Sequence, residues 1–366
     1  MIKGAVELVT ATHVSGWAVE DSMPDQPLQV RVLLDGEEIA RATAELFRPD
    51  LKDAGLGPGR HGFRIAFAAP VSMEAREQIE VRATDPAGRF APLPWLTLSK
   101  PLSFAGPSED RDSYPVFILG SPRSGTSAMA AALRASTRYR GYDEGHLISL
   151  LPQLMATVAA HYRDSAQSLS SWTMLATVAQ SHVEARLRAV FIEMARERFG
   201  TPYWIDKTPL NHMIAGAPLL AAMWPNARFI FMKRRAIENI ASRMRKFSGS
   251  VFEKHCRDWS DAMQLWAKVR GGLDARAREV EQLTLAREPD KVAVALSPFL
   301  DLSPEEGAAF RKALALQRTE QTGARVDATI GLAQTGWPPA EQELFRRICG
   351  PAMRLYGYSE DPGYFG

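Results

Sequence analysis

Four charged residues, far apart in the chain, have the types and settings that group-transfer chemistry needs: Arg123, Glu144, Lys207 and Arg234. Arg123 lies within Val116–Leu133, which reads VFILGSPRSGTSAMAAAL. The apolar run Val116–Leu119 predicts a buried parallel strand, Gly120–Gly125 a glycine-bracketed turn, and Thr126-Ser127 the start of an Ala- and Met-rich helix. Such a strand, turn and helix start form an anion cradle, because free N–H groups and the positive end of the helix dipole converge on it. Gly120 and Gly125 have P-loop spacing, but Thr126 follows where a magnesium nucleoside triphosphate requires lysine. The loop's one cation is Arg123, with hydroxyls at Ser124, Thr126 and Ser127. That set suits a 5′-phosphate or phosphosulfate rather than a magnesium triphosphate.

The other three residues each follow a short apolar stretch. Tyr139–Tyr142 runs into Asp143-Glu144-Gly145-His146, and Tyr203–Ile205 into Asp206-Lys207-Thr208-Pro209. Ala227–Lys233 runs into Arg234-Arg235 and a helix over Ala236–Phe247 that carries Ser242, Arg243, Arg245 and Lys246. Open parallel sheets bind ligands outside the carboxyl ends of their strands, so these four residues converge in such a fold. Their types fit transfer of an anionic group to a hydroxyl, which is mostly positioning and charge neutralisation. Arg123 and Lys207 supply cations, Glu144 is the candidate base with Asp143 as its rival, and Arg234 with Ser242 is a candidate second phosphate clamp. Lys246, one helical turn past Ser242, extends that clamp. His146 and His212 read as satisfied polar residues, and Trp204 and Asp206 as structural ones.

The elements that must position these groups belong to a long chain of ordinary composition. Its 366 residues are 46% hydrophobic and 23% charged, with a formal net charge of +2. This excludes a nucleic-acid coat or a membrane-surface protein and favours two domains. Residues 1–100 carry 11 Lys and Arg against 14 Asp and Glu, and the remainder 33 against 28, so the basic excess falls in the part with the cradle. Two cysteines, Cys256 and Cys349, give neither a disulfide framework nor a metal-ligand spacing, and no metal is expected. There is no signal-peptide pattern at Met1-Ile-Lys-Gly-Ala and no apolar run of the ~18 residues a membrane span takes. The expectation is a cytoplasmic protein.

Residues 1–100 read as an all-β unit of seven or eight strands: Val6–Thr10, Val14–Val19, Leu28–Leu34, Ile39–Ala44, Gly62–Phe67, Gln78–Ala83 and Trp95–Leu98. Turn signals separate them, and Leu28, Val30, Val32 and Leu34 stand against Gln29, Arg31 and Asp35. A polar linker over 101–113 follows. From Tyr114 the period changes to strand–helix alternation around a parallel sheet of about five strands. Residues 147–200 are expected to be mostly helical, with more helices over 251–287 and near Ala340–Leu355.

PRSGTS, DEGHL, DKTP and ARFIFMKRRAIENIAS together resemble the motif series of PAPS-dependent sulfotransferases, and the Arg-containing first loop resembles the tyrosylprotein branch and related bacterial enzymes. The resemblance implies an α/β, P-loop-like domain over 114–366, preceded by an all-β sandwich domain over 1–100. It places the 5′-phosphosulfate on Arg123, Ser124, Gly125, Thr126 and Ser127, and the 3′-phosphate on Arg234 and Ser242. That pair has the family's spacing, whereas Arg235 is followed at the same distance by Arg243. Glu144 stands at the branch's base position and Lys207 at that of its catalytic lysine. The usual Arg-Asp-Pro or Arg-Asn of the 3′ element is Arg234-Arg235-Ala236 here. The implied reaction moves a sulfuryl group from PAPS to a hydroxyl and leaves 3′,5′-ADP. GWAVE…VRVLLDGEEIARA…GRHGFRI resembles β-sandwich modules of bacterial glycan-modifying enzymes, which turns the expected acceptor towards a glycan or glycolipid, with a peptide tyrosine or a small metabolite as alternatives. A nucleotide kinase or NTPase, and a non-catalytic carbohydrate-binding protein, are the rival classes.

Overall fold

The computed structural model describes residues 1–96, 106–168, 173–316 and 329–366. They divide into two compact units, one of Met1–Gly106 with Met155–Leu187 and one of Pro107–Leu154 with Arg188–Gly366.

The first unit contains two four-stranded antiparallel sheets. One has the order β1 (Ile2–Val9), β2 (His13–Glu20), β6 (Arg60–Ala66), β5 (Leu46–Phe47). The other has the order β4 (Glu37–Thr43), β3 (Gln29–Leu34), β7 (Ile79–Thr84), β8 (Phe90–Pro92). The alternation expected in β3 is present: Leu28, Val30 and Val32 are buried in a core with Val6, Val14, Phe63 and Val81, while Gln29 and Arg31 are exposed. Sequence reading misses β5 and β8, which with two and three residues are too short to show a period of two. Trp95 contributes an isolated bridge to Val6, and the last residues of the expected Trp95–Leu98 strand lie outside the described residues.

The second unit is built on a fully parallel five-stranded sheet of order β10 (Arg140–Gly141), β11 (Trp204–Lys207), β9 (Val116–Gly120), β12 (Arg228–Lys233), β13 (Ala277–Glu281). Its central strands β9 and β12 are apolar on both sides, as a sheet covered by helices on both faces requires. Val116 and Ile118 join Met129, Ala130 and Leu133 of the Thr126–Ser136 helix and Val292 and Leu296 of the Pro289–Phe299 helix. Phe117 turns the other way and contacts the rings of Trp204, Trp224 and Phe229. Burying each such side chain contributes about 1.5–3 kcal/mol.

The expected run of helices over 251–287 requires one correction. A helix occupies Phe252–Val269, but Ala277–Glu281 is the edge strand β13, and the helix Gln282–Arg287 follows it. Only the last two residues of β13 are buried, so its sequence lacks the apolar run that reveals a parallel strand. The C-terminal helix spans Pro339–Leu355.

Strand order reverses direction at β9: the chain goes next to β10 and β11 on one side, then to β12 and β13 on the other. Such a switch point opens a crevice at the carboxyl ends of the strands, which is where the Gly120–Gly125 loop lies.

Candidate active site

The loop after β9 carries two left-handed residues, Arg123 (φ 72°) and Gly125 (φ 90°). Gly125 is the N-cap of the Thr126–Ser136 helix, and no side chain caps that end. The first-turn N–H groups therefore face the loop as an anion site. For arginine, a positive φ costs of order 1 kcal/mol or more, which is retained where the surroundings demand it. Those surroundings come from the Ala236–Lys246 helix. Asn239 Nδ2 donates to Pro122 O at 2.9 Å and to Ser124 Oγ at 3.0 Å, and Arg243 donates to Ser121 Oγ at 3.3 Å. Ser124 is fully buried, and its hydroxyl accepts from Asn239 and so helps brace the loop. Thr126 is also buried, whereas Ser127 is partly exposed.

Arg123 and the second clamp meet directly. Arg123 Nε donates to Ser242 Oγ at 3.1 Å, and Arg234 donates to Arg123 O at 3.0 Å. Arg234 is partly buried, and its Nε is shielded from solvent with no hydrogen-bond partner among the described residues. Burial disfavours its charge and pulls its pKa down, despite the field of Glu238 and Tyr364. A guanidinium held this way, beside an uncapped helix start, fits a phosphate. Lys246 is exposed and makes none of these contacts.

The candidate base and its lysine also meet. Lys207, at the end of β11, has a side chain only 3% exposed. Its Nζ donates to Glu144 Oε1 at 2.9 Å and to Ser127 Oγ at 3.4 Å, which joins the base to the loop. The other carboxylate oxygen of Glu144 bonds His146 Nε2 at 2.7 Å. Partial burial opposes ionisation of Glu144, but the hydrogen bonds and charges of Lys207 and His146 outweigh it and hold the carboxyl below its ordinary value. Asp143, the rival base, is solvent-exposed and paired with Arg134. His212 lies within 3.3 Å of Gln153, and burial together with the charge of His146 lowers its pKa.

Beneath this group is a residue that sequence reading assigned only a structural role. Asp206 is buried, its Oδ1 has no hydrogen-bond partner among the described residues, and its carboxylate packs against Gly145, where any Cβ would overlap Oδ2. Burial pushes its pKa up to about 6, against the bond from Thr208 and the charges of His146 and Lys207. The bracing roles of Asn239 and Arg243 also escape sequence reading, since nothing local marks a contact made more than a hundred residues away.

Residues 115–306, just over half of the chain, match the model of the sulfotransferase family. The chain belongs to that family. Among sulfotransferases it is similar to protein-tyrosine sulfotransferase 2 of Gallus gallus, with 26% identity over 201 residues that cover 51% of each chain. An uncharacterised protein of Aquifex aeolicus (strain VF5) is 24% identical over 212 residues, 52% of this chain and 26% of that one. The chain thus spans about half the length of the first relative and a quarter of the second. Among solved structures, the sulfotransferase domain of the Synechococcus PCC 7002 olefin synthase superposes with a TM-score of 0.40 and 17% identity, covering 70% of this chain and 99% of that one. No helix among the described residues is long and apolar enough to cross a membrane.

Proposed function

We propose that this sulfotransferase moves a sulfuryl group from PAPS to an acceptor hydroxyl. The observation that carries the reading is the position of Lys207 Nζ, which spans the base Glu144 and the loop hydroxyl of Ser127. On this reading a cation sits between the proton acceptor and the anion cradle, the order in which acceptor, transferring group and leaving group must align. On this reading the donor supplies an activated sulfuryl group, held by Arg123, Ser127 and the N–H groups at Gly125 and Thr126. Arg234 and Ser242 take the 3′-phosphate, and Lys246 gives that end a positive surface.

In the step itself, a bond forms from the acceptor oxygen to sulfur while the bond from sulfur to the bridging phosphate oxygen breaks. Glu144 takes the acceptor's proton, and Arg123 and Lys207 offset the charge that grows on the departing 3′,5′-ADP. Because its carboxyl is held low, Glu144 is ionised around neutral pH, as a base must be.

The acceptor we assign is a glycan or glycolipid hydroxyl, supported by the likeness of the first hundred residues to sandwich modules of glycan-modifying enzymes. The similarity to a protein-tyrosine sulfotransferase favours a second reading, a peptide tyrosine. Incubation with labelled PAPS and parallel panels of oligosaccharides, glycolipids and tyrosyl peptides tests both. Label is expected on the sugar panels. Label on peptides alone would replace the first acceptor with the second, and label on none, with magnesium-dependent ATP turnover, would replace the reaction class.

A further inference from the structure

Arg235 stands where the family's 3′ element usually has an acidic or amide residue, and its neighbour Arg234 is the proposed phosphate ligand. The structure gives Arg235 an unusual setting: it is fully buried, yet all five of its N–H donors are used. Two go to Glu238, from Nε to Oε2 at 2.9 Å and from the second terminal nitrogen to Oε1. The remaining three go to main-chain carbonyls near the C-terminus, Ile330 at 2.6 Å, Ser359 at 3.0 Å and Asp361 at 2.6 Å. The guanidinium also lies 4.8 Å from the ring centre of Tyr364.

Tyr364 completes the link from the other side. Its hydroxyl accepts from Arg235 N at 3.0 Å and donates to Glu281 Oε1 at 2.6 Å, while Tyr358 donates to Glu281 Oε2 at 2.6 Å. Glu281 closes β13 opposite Lys233, the residue before Arg234. The C-terminal segment 356–366 is therefore tied to the ends of β12 and β13 immediately beside Arg234. A buried charge this fully satisfied is strongly destabilising to disrupt, and its partners fix it in one place.

We propose that Arg235 is a positioning residue: by binding the C-terminal segment it fixes the backbone from which Arg234 reaches the donor's 3′-phosphate. The segment is then part of the donor site although it contributes no ligand. This inference rests on the proposed donor and predicts an effect confined to the 3′-phosphate. An effect on packing alone would weaken all nucleotides alike.

The test is calorimetric titration of the full chain with 3′,5′-ADP and with 5′-AMP, in the parent protein and in Arg235→Lys and Tyr364→Phe. Arg235→Lys keeps the charge but loses the fork, and Tyr364→Phe keeps the ring but loses the hydroxyl. The preference for 3′,5′-ADP over 5′-AMP is expected to fall about tenfold in both, with 5′-AMP affinity unchanged. An unchanged preference, or equal weakening of both nucleotides, overturns the positioning role. Should Arg235→Lys not fold, Tyr364→Phe decides alone. A parent protein without any preference removes the donor reading itself, a result distinct from either.

Discussion

Asp206→Asn offers a quantitative test of the electrostatics beneath Glu144. Asp206 is buried against Gly145 with one carboxylate oxygen unpartnered among the described residues, and burial pushes its pKa up to about 6. An unfolded aspartate titrates near 4, so the folded state holds this proton over about two pH units in which the unfolded chain has released it. The sign follows. The stability this provides is fully present below about pH 4 and is lost as the pH climbs through about 6, a change of about 3 kcal/mol. Asparagine resembles the protonated acid in shape and does not titrate, so the variant escapes this loss. Urea denaturation of both proteins at a series of pH values between about 4 and 7.5 isolates it, because most other titrating groups are common to both and cancel in the difference. The stability of the variant relative to the parent is expected to rise by about 3 kcal/mol across that range, most of it between about pH 4 and 6. Parallel curves would show that Asp206 ionises normally, and would refute the claim that the site keeps a near-neutral carboxyl under Gly145.

The remaining predictions concern activity. Glu144→Gln is expected to lower kcat by about 10²–10⁴ and to leave donor affinity intact, whereas Arg123→Ala lowers both; stopped turnover assays beside 3′,5′-ADP titration separate the two. His146→Ala removes one of the two bonds that hold the Glu144 carboxyl low, so the acid limb of kcat/KM is expected to move up towards the ordinary glutamate range. A limb that stays in place would show that Lys207 alone sets the protonation of Glu144.

The parts of this molecule that were legible in the sequence are those with local signals. VFILG followed by a glycine-bracketed turn marks β9 and its loop, and ARFIFMK marks β12, because central parallel strands are continuous apolar runs. The Arg234–Ser242 spacing is likewise read within one strand end and one helix, and the structure places both residues against Arg123. What was not legible depends on distant contacts or on short, half-exposed edges. β13 hides because only Val280 and Glu281 are buried. The bond that Ser124 accepts from Asn239, more than a hundred residues later, has no local signal. Arg235 reads as a failed alternative to Arg234, since the carbonyls that receive it lie about a hundred residues or more downstream. Asp206 titrates late because of burial, which no motif records.

The central claim is a donor site with a separate 3′-phosphate clamp at Arg234. Calorimetric titration with 3′,5′-ADP, 5′-AMP and magnesium ATP, in the parent protein and in Arg234→Ala, addresses it directly. 3′,5′-ADP is expected to bind at least about tenfold tighter than 5′-AMP, as one lost charge-assisted contact implies, and Arg234→Ala to erase the difference. Magnesium ATP binding as tightly as 3′,5′-ADP, or a preference that survives in Arg234→Ala, would contradict it.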